Sequence, residues 1–403
     1  MPTTHEYSST HTLPPSFHHT DAQKLGEMAT TSEAPSTTAI PSTMRAWQFF
    51  STWGGIEKNL HLNASAPVPA HDAHALGNEK VLVKVIAAGI NHVDCKIAEL
   101  PLVGRLLYGR NATPGSDFAG VVVAAKDRSA AGEGEGGFRE GQLVFGRFSQ
   151  PVKQGTMQEY IMVSRSQLVH VPEGVDPVDA AGVGVAGLTA YQCIQPFVHP
   201  GQKDRVFING GSGGTGVWGI QIAKALGCHV TTSCSGANAE LCKNLGADEV
   251  IDYRTTNVVD ALKKAASHPT SDSEAGSGPG GEQKFDLVVD NVGSTGALYW
   301  QGHRYMSEGA RYVQIGVEPS SFLDLVMKMI WPGFLGGGKR KFEMLMVKDN
   351  TQQMAQIADW MRQGKVKTVF HEGSALSIEE GARAFEILKT HRARGKLVIK
   401  MSS

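Results

Sequence analysis

A glycine-rich turn at residues 211–216 constrains the fold of this chain more than any other feature. The turn directly follows an apolar strand, RVFING, and opens a predicted helix, GVWGIQIAKALG. In such a G-x-G-x-x-G pattern the first glycine permits a tight turn, the second lets the backbone approach a pyrophosphate, and the third lets helix and strand pack closely. The helix N-terminus adds free N–H groups and a positive dipole. We therefore predict a dinucleotide site formed by Gly211, Ser212, Gly213, Gly214, Thr215 and Gly216.

The end of the next predicted strand, HVTTSC, indicates which dinucleotide binds. An NAD site places Asp or Glu about 20 residues after the turn, where the acid holds the ribose hydroxyls. Here Ser233 and Ser235 flank Cys234 and no acidic residue is present. The two hydroxyls can donate to a 2′-phosphate, so we predict NADPH. Lys243 and Tyr253 are candidate partners of that phosphate, although a solvated lysine and a packing tyrosine would look the same in the sequence.

The rest of the chain is predicted to be of the α/β class. Downstream of the turn, strands alternate with helices, which predicts right-handed crossovers and a doubly wound parallel sheet. Upstream, short strands separated by Gly and acidic loops predict a β-rich, barrel-like unit. The upstream strands are 44–50, 80–88, 119–125 and 142–146, and the downstream strands are 205–210, 229–234, 249–253, 285–293 and 310–316. A single helix is predicted over 176–194, and a Gly/Ser/Pro-rich surface loop over 267–283.

Composition excludes several classes of protein. Formal net charge is −1, which argues against a nucleic-acid partner, and no apolar run reaches the roughly 18 residues of a membrane span. Residues 1–43 contain 16 Ser or Thr and are predicted to be a disordered tail. No Arg precedes Arg45, unlike in a mitochondrial presequence, so we expect a cytoplasmic rather than a mitochondrial location.

Several further motifs resemble the medium-chain dehydrogenase/reductase superfamily, in its zinc-free quinone oxidoreductase branch. The carriers are AAGINHVDCKIAEL, TPGSDFAGVV, GVAGLTAYQ, LGADEVIDY, DLVVDNVGS and RGKLVIK, together with the glycine turn. DNVG and PGFLGGGKRK also resemble the reticulon-interacting and envelope quinone-oxidoreductase-like proteins and related fungal reductases. The resemblance implies a GroES-like catalytic domain at 44–172, a Rossmann NADP-binding domain at 173–350, and a return to the catalytic domain at 351–403.

The resemblance also implies chemistry without a metal. Zinc-dependent members of the superfamily carry a Cys where Asn91 stands and Gly-His-Glu where this chain has Gly115-Ser116-Asp117. The four-cysteine lobe is absent, and neither the five cysteines nor the 15 histidines show metal-ligand spacing. Without a Lewis acid, hydride addition to a quinone or to the C=C bond of an enone is easier than alcohol oxidation.

The resemblance places Asn91 and Lys96 beside the nicotinamide. Asn91 would donate to the substrate oxygen or the cofactor ribose, and Lys96 would stabilise an enolate. A loop-capping Asn and an exposed Lys are the structural alternatives, and many relatives carry a Tyr at the Lys96 position. Further cofactor neighbours are expected to be Tyr191, Asn291 and the backbone of Ile315, Gly316 and Val317.

Residues 321–331 have the spacing of an amphipathic helix, and the cluster Lys339-Arg340-Lys341 follows it. Three interpretations stay open: a lid over an apolar substrate, peripheral membrane contact through 321–341, and a helix packed on the sheet or on a subunit partner. The resemblance also implies a homodimer, because relatives often form dimers through the nucleotide domain. Function likewise has alternatives. The chain is a quinone or enone reductase, a pathway-specific enoyl reductase of secondary metabolism, or a weakly catalytic nucleotide-binding partner protein.

Overall fold

The computed structural model describes residues 39–100, 102–126, 137–267, 283–293, 296–317 and 321–401. Residues Pro41–Ser403 form one unit of contacts, to which every element below belongs. The predicted tail lies outside the described residues as far as residue 38, and the predicted loop at 267–283 lies outside them except at its two ends.

The first part of the chain builds antiparallel sheets. Their strands are β1 Thr43–Gln48, β2 His61–Pro67, β3 Lys80–Ile90, β4 Asp117–Ala125, β5 Leu143–Arg147, β6 Tyr160–Ser164, β7 Leu168–His170 and β14 Leu397–Lys400. β1 pairs with β2, and the larger sheet has the order β14-β3-β4-β5-β7, with β6 also paired to β3. The last strand of the chain therefore returns to the sheet that the first half built. The domain boundaries at 172 and 350 stay a prediction.

The middle of the chain builds a six-stranded parallel sheet. Its strands are β8 Arg205–Asn209, β9 His229–Cys234, β10 Glu249–Asp252, β11 Phe285–Asp290, β12 Met306–Gln314 and β13 Lys341–Met344. The order is β10-β9-β8-β11-β12-β13, and every neighbouring pair is parallel. The central strands are apolar runs because helices cover both faces of such a sheet. The predicted combination of a doubly wound parallel sheet and a GroES-like β-rich part is confirmed.

The helices connect and cover these strands. They are α1 Ala73–Leu76, α2 His92–Lys96, α3 Val103–Tyr108, α4 Pro177–Ala180, α5 Leu188–Ile194, α6 Gly214–Ala225, α7 Ala239–Asn244, α8 Val258–Ser267, α9 Gly296–Trp300, α10 Phe322–Ile330, α11 Thr351–Arg362 and α12 Gly381–Lys389. Among the helices of the described ranges, none has the length and apolarity that crossing a bilayer requires.

The single helix predicted over 176–194 is wrong in its continuity. The structure has α4, a π-helical turn at Val183–Gly187 and then α5. The carboxylate of Asp117 causes the break: its Oδ1 accepts from the Val185 N–H at 2.8 Å, and a Cβ atom on Gly184 would lie 2.2 Å from it. A side chain that enters the helical hydrogen-bond ladder widens it locally.

One apolar core joins the two kinds of sheet. It contains Phe145 of β5, Val398 of β14, Ile208 of β8 and Trp218 of α6. The Trp218 indole is fully buried and donates to the Gly182 carbonyl oxygen at 3.1 Å. Because α6 begins at the glycine turn, this packing fixes the turn relative to the antiparallel sheet.

Candidate active site

The glycine turn has the steric character that the sequence predicts. A Cβ atom on Gly211 would lie 2.0 Å from Thr232 Oγ1, and one on Gly216 would lie 2.2 Å from the Gly210 carbonyl oxygen. Both positions therefore require glycine. At Gly213 the nearest atom of the described residues would be 3.6 Å away, an ordinary contact distance, so the protein leaves space for at least a Cβ atom over the turn.

The N-terminus of α6 faces that space. Gly213 is the N-cap residue, and Gly214 and Thr215 begin the helix, all three half-buried. Ser212 is held from two sides: its Oγ accepts from Asn238 Nδ2 at 3.1 Å, and its carbonyl oxygen accepts from the Gly395 N–H at 2.9 Å. Nothing in the sequence predicted that Asn238 would contact the turn, apart from its position shortly after β9.

The structure corrects the role predicted for Ser233. This residue is buried, its hydroxyl donates to Asn209 Oδ1 at 2.6 Å, and it accepts from the Gly210 N–H at 3.1 Å. The single hydroxyl proton is thus engaged, so Ser233 supports the turn from behind and has no proton for a 2′-phosphate. Ser235, also buried, is the N-cap residue of a short 3-10 turn at Gly236–Asn238.

A carboxylate that sequence reasoning missed lies at the same edge. A Cβ atom on Gly236 would be 2.5 Å from Asp252 Oδ2, although Asp252 ends β10 and not β9. The Tyr253 N–H donates to the Cys234 carbonyl oxygen at 3.2 Å, so the two strand ends lie side by side. The side chains of Tyr253 and of Lys243 on α7 are exposed.

Asn91 belongs to a buried group with Asp117 and Lys396. Asn91 Nδ2 donates to Asp117 Oδ2 at 2.8 Å, and Lys396 Nζ donates to Asn91 Oδ1 at 2.7 Å. Lys396 Nζ also lies 3.3 Å from Asp117 Oδ2 and 3.3 Å from the Ile90 carbonyl oxygen. The ammonium thus compensates a carboxylate that has no exposure to solvent. Lys396 and Asp117 stand in the quoted motifs RGKLVIK and TPGSD, but the sequence analysis assigned neither a role.

This buried group adjoins the glycine turn. Gly395, one residue before Lys396, donates its N–H to Ser212, and a Cβ atom on Gly214 would lie 3.7 Å from Lys396 Cδ. The two residues that precede β14 therefore join the antiparallel sheet to the predicted nucleotide site.

A second buried carboxylate, Asp94, lies beside the first. Its Oδ2 accepts from the Asn91 N–H at 2.7 Å, and its Oδ1 accepts from the Ser116 hydroxyl. Burial raises the pKa of Asp94 to about 7, with a further rise from Asp117 and an opposing effect of the Ser116 hydrogen bond. Gln150 Nε2 donates to Ser116 Oγ at 2.9 Å, and the Tyr108 hydroxyl donates to Gln150 Oε1 at 2.8 Å.

His92, at the start of α2, is excluded as an acid at neutral pH. Its ring stacks on His391 with centroids 5.5 Å apart. Desolvation by the atoms packed around its ring, together with the positive charges of Lys96, His391 and Lys396, lowers the pKa of His92 to about 4, although part of the residue is exposed to solvent. The imidazole is therefore neutral over the physiological range.

Lys96 and the segment 315–317 are brought together. Lys96 Nζ donates to the Val317 carbonyl oxygen at 3.3 Å, and the ammonium group is exposed. The Ile315 N–H donates to the Asp290 carbonyl oxygen at 3.0 Å, so this segment continues beyond the carboxyl end of the sheet. A Cβ atom on Gly316 would lie 2.4 Å from the Asn291 carbonyl oxygen, which makes glycine necessary there.

The side-chain amide of Asn291 is buried without hydrogen-bond partners among the described residues. Both its amide atoms are inaccessible to water. Such orphaned groups are rare in native proteins, and a bound molecule or water that supplies the partners would account for them. Asn291 follows β11, at the point where the sheet order reverses between β8 and β11, and dinucleotides bind at such points. Together with the space over Gly213, this arrangement fits a nicotinamide dinucleotide.

Tyr191 is placed in a different environment. Its ring contacts Trp360 of α11, with centroids 5.7 Å apart, and burial raises the pKa of its hydroxyl. A role of Tyr191 toward a cofactor stays a prediction.

The residues at the position of the catalytic zinc do not fit a metal. Asn91 Oδ1 and Asp117 Oδ2 already accept from the Lys396 ammonium, whose charge would repel a cation. In the described part of the chain no group of three or more His, Cys, Asp or Glu side chains is arranged to hold one.

Comparison with known proteins agrees with this architecture. Residues 77–173 match the family described as the alcohol dehydrogenase GroES-like domain, and residues 245–399 match the family described as zinc-binding dehydrogenase. Trans-enoyl reductase pgmF of Aspergillus terreus is 46% identical over 367 residues, which cover 90% of this chain and 97% of that protein. A quinone-oxidoreductase homolog from chloroplasts of Spinacia oleracea is 27% identical over 362 residues, covering 89% and 98%.

The fold also has relatives among solved structures. The quinone oxidoreductase of Coxiella burnetii superposes with a TM-score of 0.70 at 24% identity, covering 89% of this chain and 99% of that one. This similarity concerns the fold alone.

Proposed function

The chain belongs to the medium-chain dehydrogenase/reductase superfamily, in its quinone oxidoreductase branch, and from that premise we propose that it reduces quinones or the C=C bond of α,β-unsaturated carbonyls with NADPH. The observation that carries the proposal is the junction of the buried Asn91–Asp117–Lys396 group with the glycine turn, through the hydrogen bond from Gly395 N to Ser212 O. It sets the polar residues of one sheet against the predicted nucleotide site of the other.

Lys96 and Asn91 have different roles in the proposed reaction. A reduced nicotinamide held between the glycine turn and residues 315–317 would supply a hydride for the β-carbon of the substrate. Lys96 holds a positive charge beside the Val317 carbonyl oxygen. In the proposed reaction this charge stabilises the substrate oxygen that becomes an enolate. Asn91 keeps one of its two Nδ2 hydrogens beyond the bond to Asp117, and this hydrogen is the donor for a substrate oxygen or the ribose. The proton for the α-carbon comes from water or a side chain.

The choice of NADPH depends on the edge formed by β9 and β10. Ser235, Lys243 and Tyr253 support binding of a 2′-phosphate, and Asp252 opposes it by charge repulsion. Fluorescence titration with NADPH and NADH side by side tests the choice. Tight NADPH and weak NADH binding are expected. Equal binding would contradict the choice, and an Asp252→Asn variant that gains only NADPH affinity would identify Asp252 as the opposing group.

Turnover tests the reaction. We expect NADPH oxidation with a simple quinone, with an enone, or with both, and no oxidation of a saturated alcohol when NADP⁺ is supplied. Nucleotide binding without turnover on any of these would favour the nucleotide-binding partner protein instead.

A pathway-specific enoyl reductase is the second candidate, and the 46% identity with a trans-enoyl reductase favours it. An α,β-unsaturated thioester distinguishes the two, because a general reductase would prefer the quinone and the free enone.

We further propose a cytoplasmic location and a homodimer. Sedimentation of the purified protein tests the dimer, and co-sedimentation with anionic vesicles tests membrane contact through 321–341.

A further inference from the structure

Helix α10 is oriented with its charges toward the protein. The helix predicted over 321–331 is confirmed at Phe322–Ile330, but Phe322, Met329 and Ile330 are exposed. The Lys328 side chain is completely buried, and the side chain of Asp324 is three-quarters buried. Burying an ammonium group costs several kcal/mol unless close partners compensate it, so the contacts of Lys328 define its role.

Those contacts are specific. Lys328 Nζ lies 2.8 Å from Asp324 Oδ2 and donates to Gln314 Oε1 at 3.0 Å. It also lies over the ring of Tyr312, 5.8 Å from the centroid. Asp324 is fixed in turn by the indole N–H of Trp300, which donates to its other oxygen at 2.8 Å. The ammonium group is therefore held in one place.

Gln314 transmits this placement to the predicted nicotinamide segment. Its Nε2 donates to the Gly316 carbonyl oxygen at 2.8 Å. An ammonium group can only donate, so it requires the amide oxygen of Gln314 to face it and leaves the NH₂ group for Gly316. Without Lys328 the amide oxygen of Gln314 loses its donor, and the bond to the Gly316 carbonyl alone still orients the amide.

The orientation of the Gly316 carbonyl also decides where the next N–H points. Because the peptide bond is planar and trans, the Val317 N–H points opposite to the Gly316 carbonyl, away from Gln314. Lys96 holds the following carbonyl, that of Val317, at 3.3 Å. The segment is thus fixed on one side by Lys328 through Gln314 and on the other by Lys96.

We propose that Lys328 is a positioning residue for hydride transfer: through Gln314 it fixes the peptide between Gly316 and Val317 that binds the nicotinamide. The inference rests on the proposed function, because it assigns the nicotinamide to this segment. It predicts that loss of Lys328 weakens recognition of the nicotinamide half of the cofactor and leaves the adenosine half unaffected.

Two variants test the proposal independently. Lys328→Met removes the ammonium group. Gln314→Glu keeps an oxygen toward Lys328, and hence the buried ion pair, but replaces the donor to Gly316 with a second oxygen. Lys328→Arg is the conservative variant. Lys263→Met is the matched control, because Lys263 forms a surface pair with Asp260 at 3.0 Å.

Affinity is measured by calorimetry for NADPH and for 2′-phospho-ADP-ribose, which lacks the nicotinamide, with NADH and ADP-ribose as the parallel pair. For Lys328→Met and Gln314→Glu we expect NADPH affinity and kcat to fall about 10-fold while affinity for the truncated nucleotide changes less than about 2-fold. Lys328→Arg should recover part of the loss, and Lys263→Met should match the unchanged protein.

Equal losses for both nucleotides would overturn the proposal, since they indicate general loosening of the fold. Unchanged NADPH affinity and kcat in both variants would also overturn it. If the unchanged protein binds neither nucleotide, the proposed function itself is wrong; if it binds and reduces normally while the variants behave like it, only the inference fails.

Discussion

Replacement of Lys396 by Met removes one partner of the buried Asn91–Asp117–Lys396 group. Met fills much of the space of the lysine stem, so the loss is chiefly electrostatic. The side chain of Asp117 has no exposure to solvent and would keep a charge with no cation beside it. The three acceptors around the ammonium, at 2.7, 3.3 and 3.3 Å, would lose their shared donor.

The expected loss of stability follows from the distance between Lys396 Nζ and Asp117 Oδ2. Two unit charges 3.3 Å apart interact by about 5 kcal/mol at an effective dielectric constant of about 20. Removal of one partner of a buried ion pair typically costs about 3–5 kcal/mol. With an unfolding entropy of about 2 cal/mol/K per residue over 403 residues, we expect Tm to fall by about 4–6 °C.

Thermal unfolding followed by circular dichroism measures the effect. Lys400→Met is the control, because Lys400 ends β14, the strand that Lys396 directly precedes, and is exposed. The double variant Asp117→Asn/Lys396→Met removes both charges and should be less destabilised than Lys396→Met alone. A Tm of Lys396→Met within about 1 °C of that of the unchanged protein would refute the charge compensation. A loss of stability in the double variant that equals the sum of the losses in Lys396→Met and Asp117→Asn alone would refute it as well.

Three further predictions concern the turn, Lys96 and Asp94. Gly213→Asp should weaken NADPH binding at least about 100-fold by placing charge against the pyrophosphate. Gly213→Ala, whose Cβ would lie 3.6 Å from the nearest protein atom, should fold normally and weaken binding by less in the same titration, because it adds bulk near the pyrophosphate but no charge. Lys96→Ala should lower kcat at least about 10-fold with little change in cofactor affinity, and equal losses would make Lys96 a cofactor residue. Since the pKa of Asp94 is raised from 3.8 to about 7, the folded state binds a proton that the unfolded state releases, and stability should fall as pH rises between these values. Asp94→Asn should remove that slope from urea unfolding measured across the range, and an unchanged slope would assign it to another group.

The local predictions rest on short-range sterics and periodicity. Strand β9 was predicted at 229–234 and lies at His229–Cys234. Gly211 and Gly216 have the steric roles that the spacing of the turn indicates, because each depends on atoms within a few residues or on the adjacent strand. The role of Gly213 toward a pyrophosphate stays a prediction. The helix over 321–331 is likewise a matter of local spacing.

The residues that complete the site lie far apart in the chain. Lys396 bonds to Asn91 across 305 positions, and only the pairing of β14 with β3 brings them together. The break at Val183–Gly187 has the same origin, since the Asp117 carboxylate that enters the helix comes from β4. Asp252 reaches the predicted phosphate site only because β10 lies beside β9.

The class of fold, the steric requirements of the glycine turn and most strands around it could be predicted from the residues alone, because backbone geometry and apolar periodicity act over short distances. Strand β13 and the break at Val183–Gly187 could not. The direction in which each polar group faces depends on long-range packing. That packing turned Ser233 inward, and it buried Lys328 while leaving Ile330 exposed. A buried charge must find its partner wherever the fold supplies one, and for Lys328 that partner leads to Gly316 and the proposed nicotinamide site.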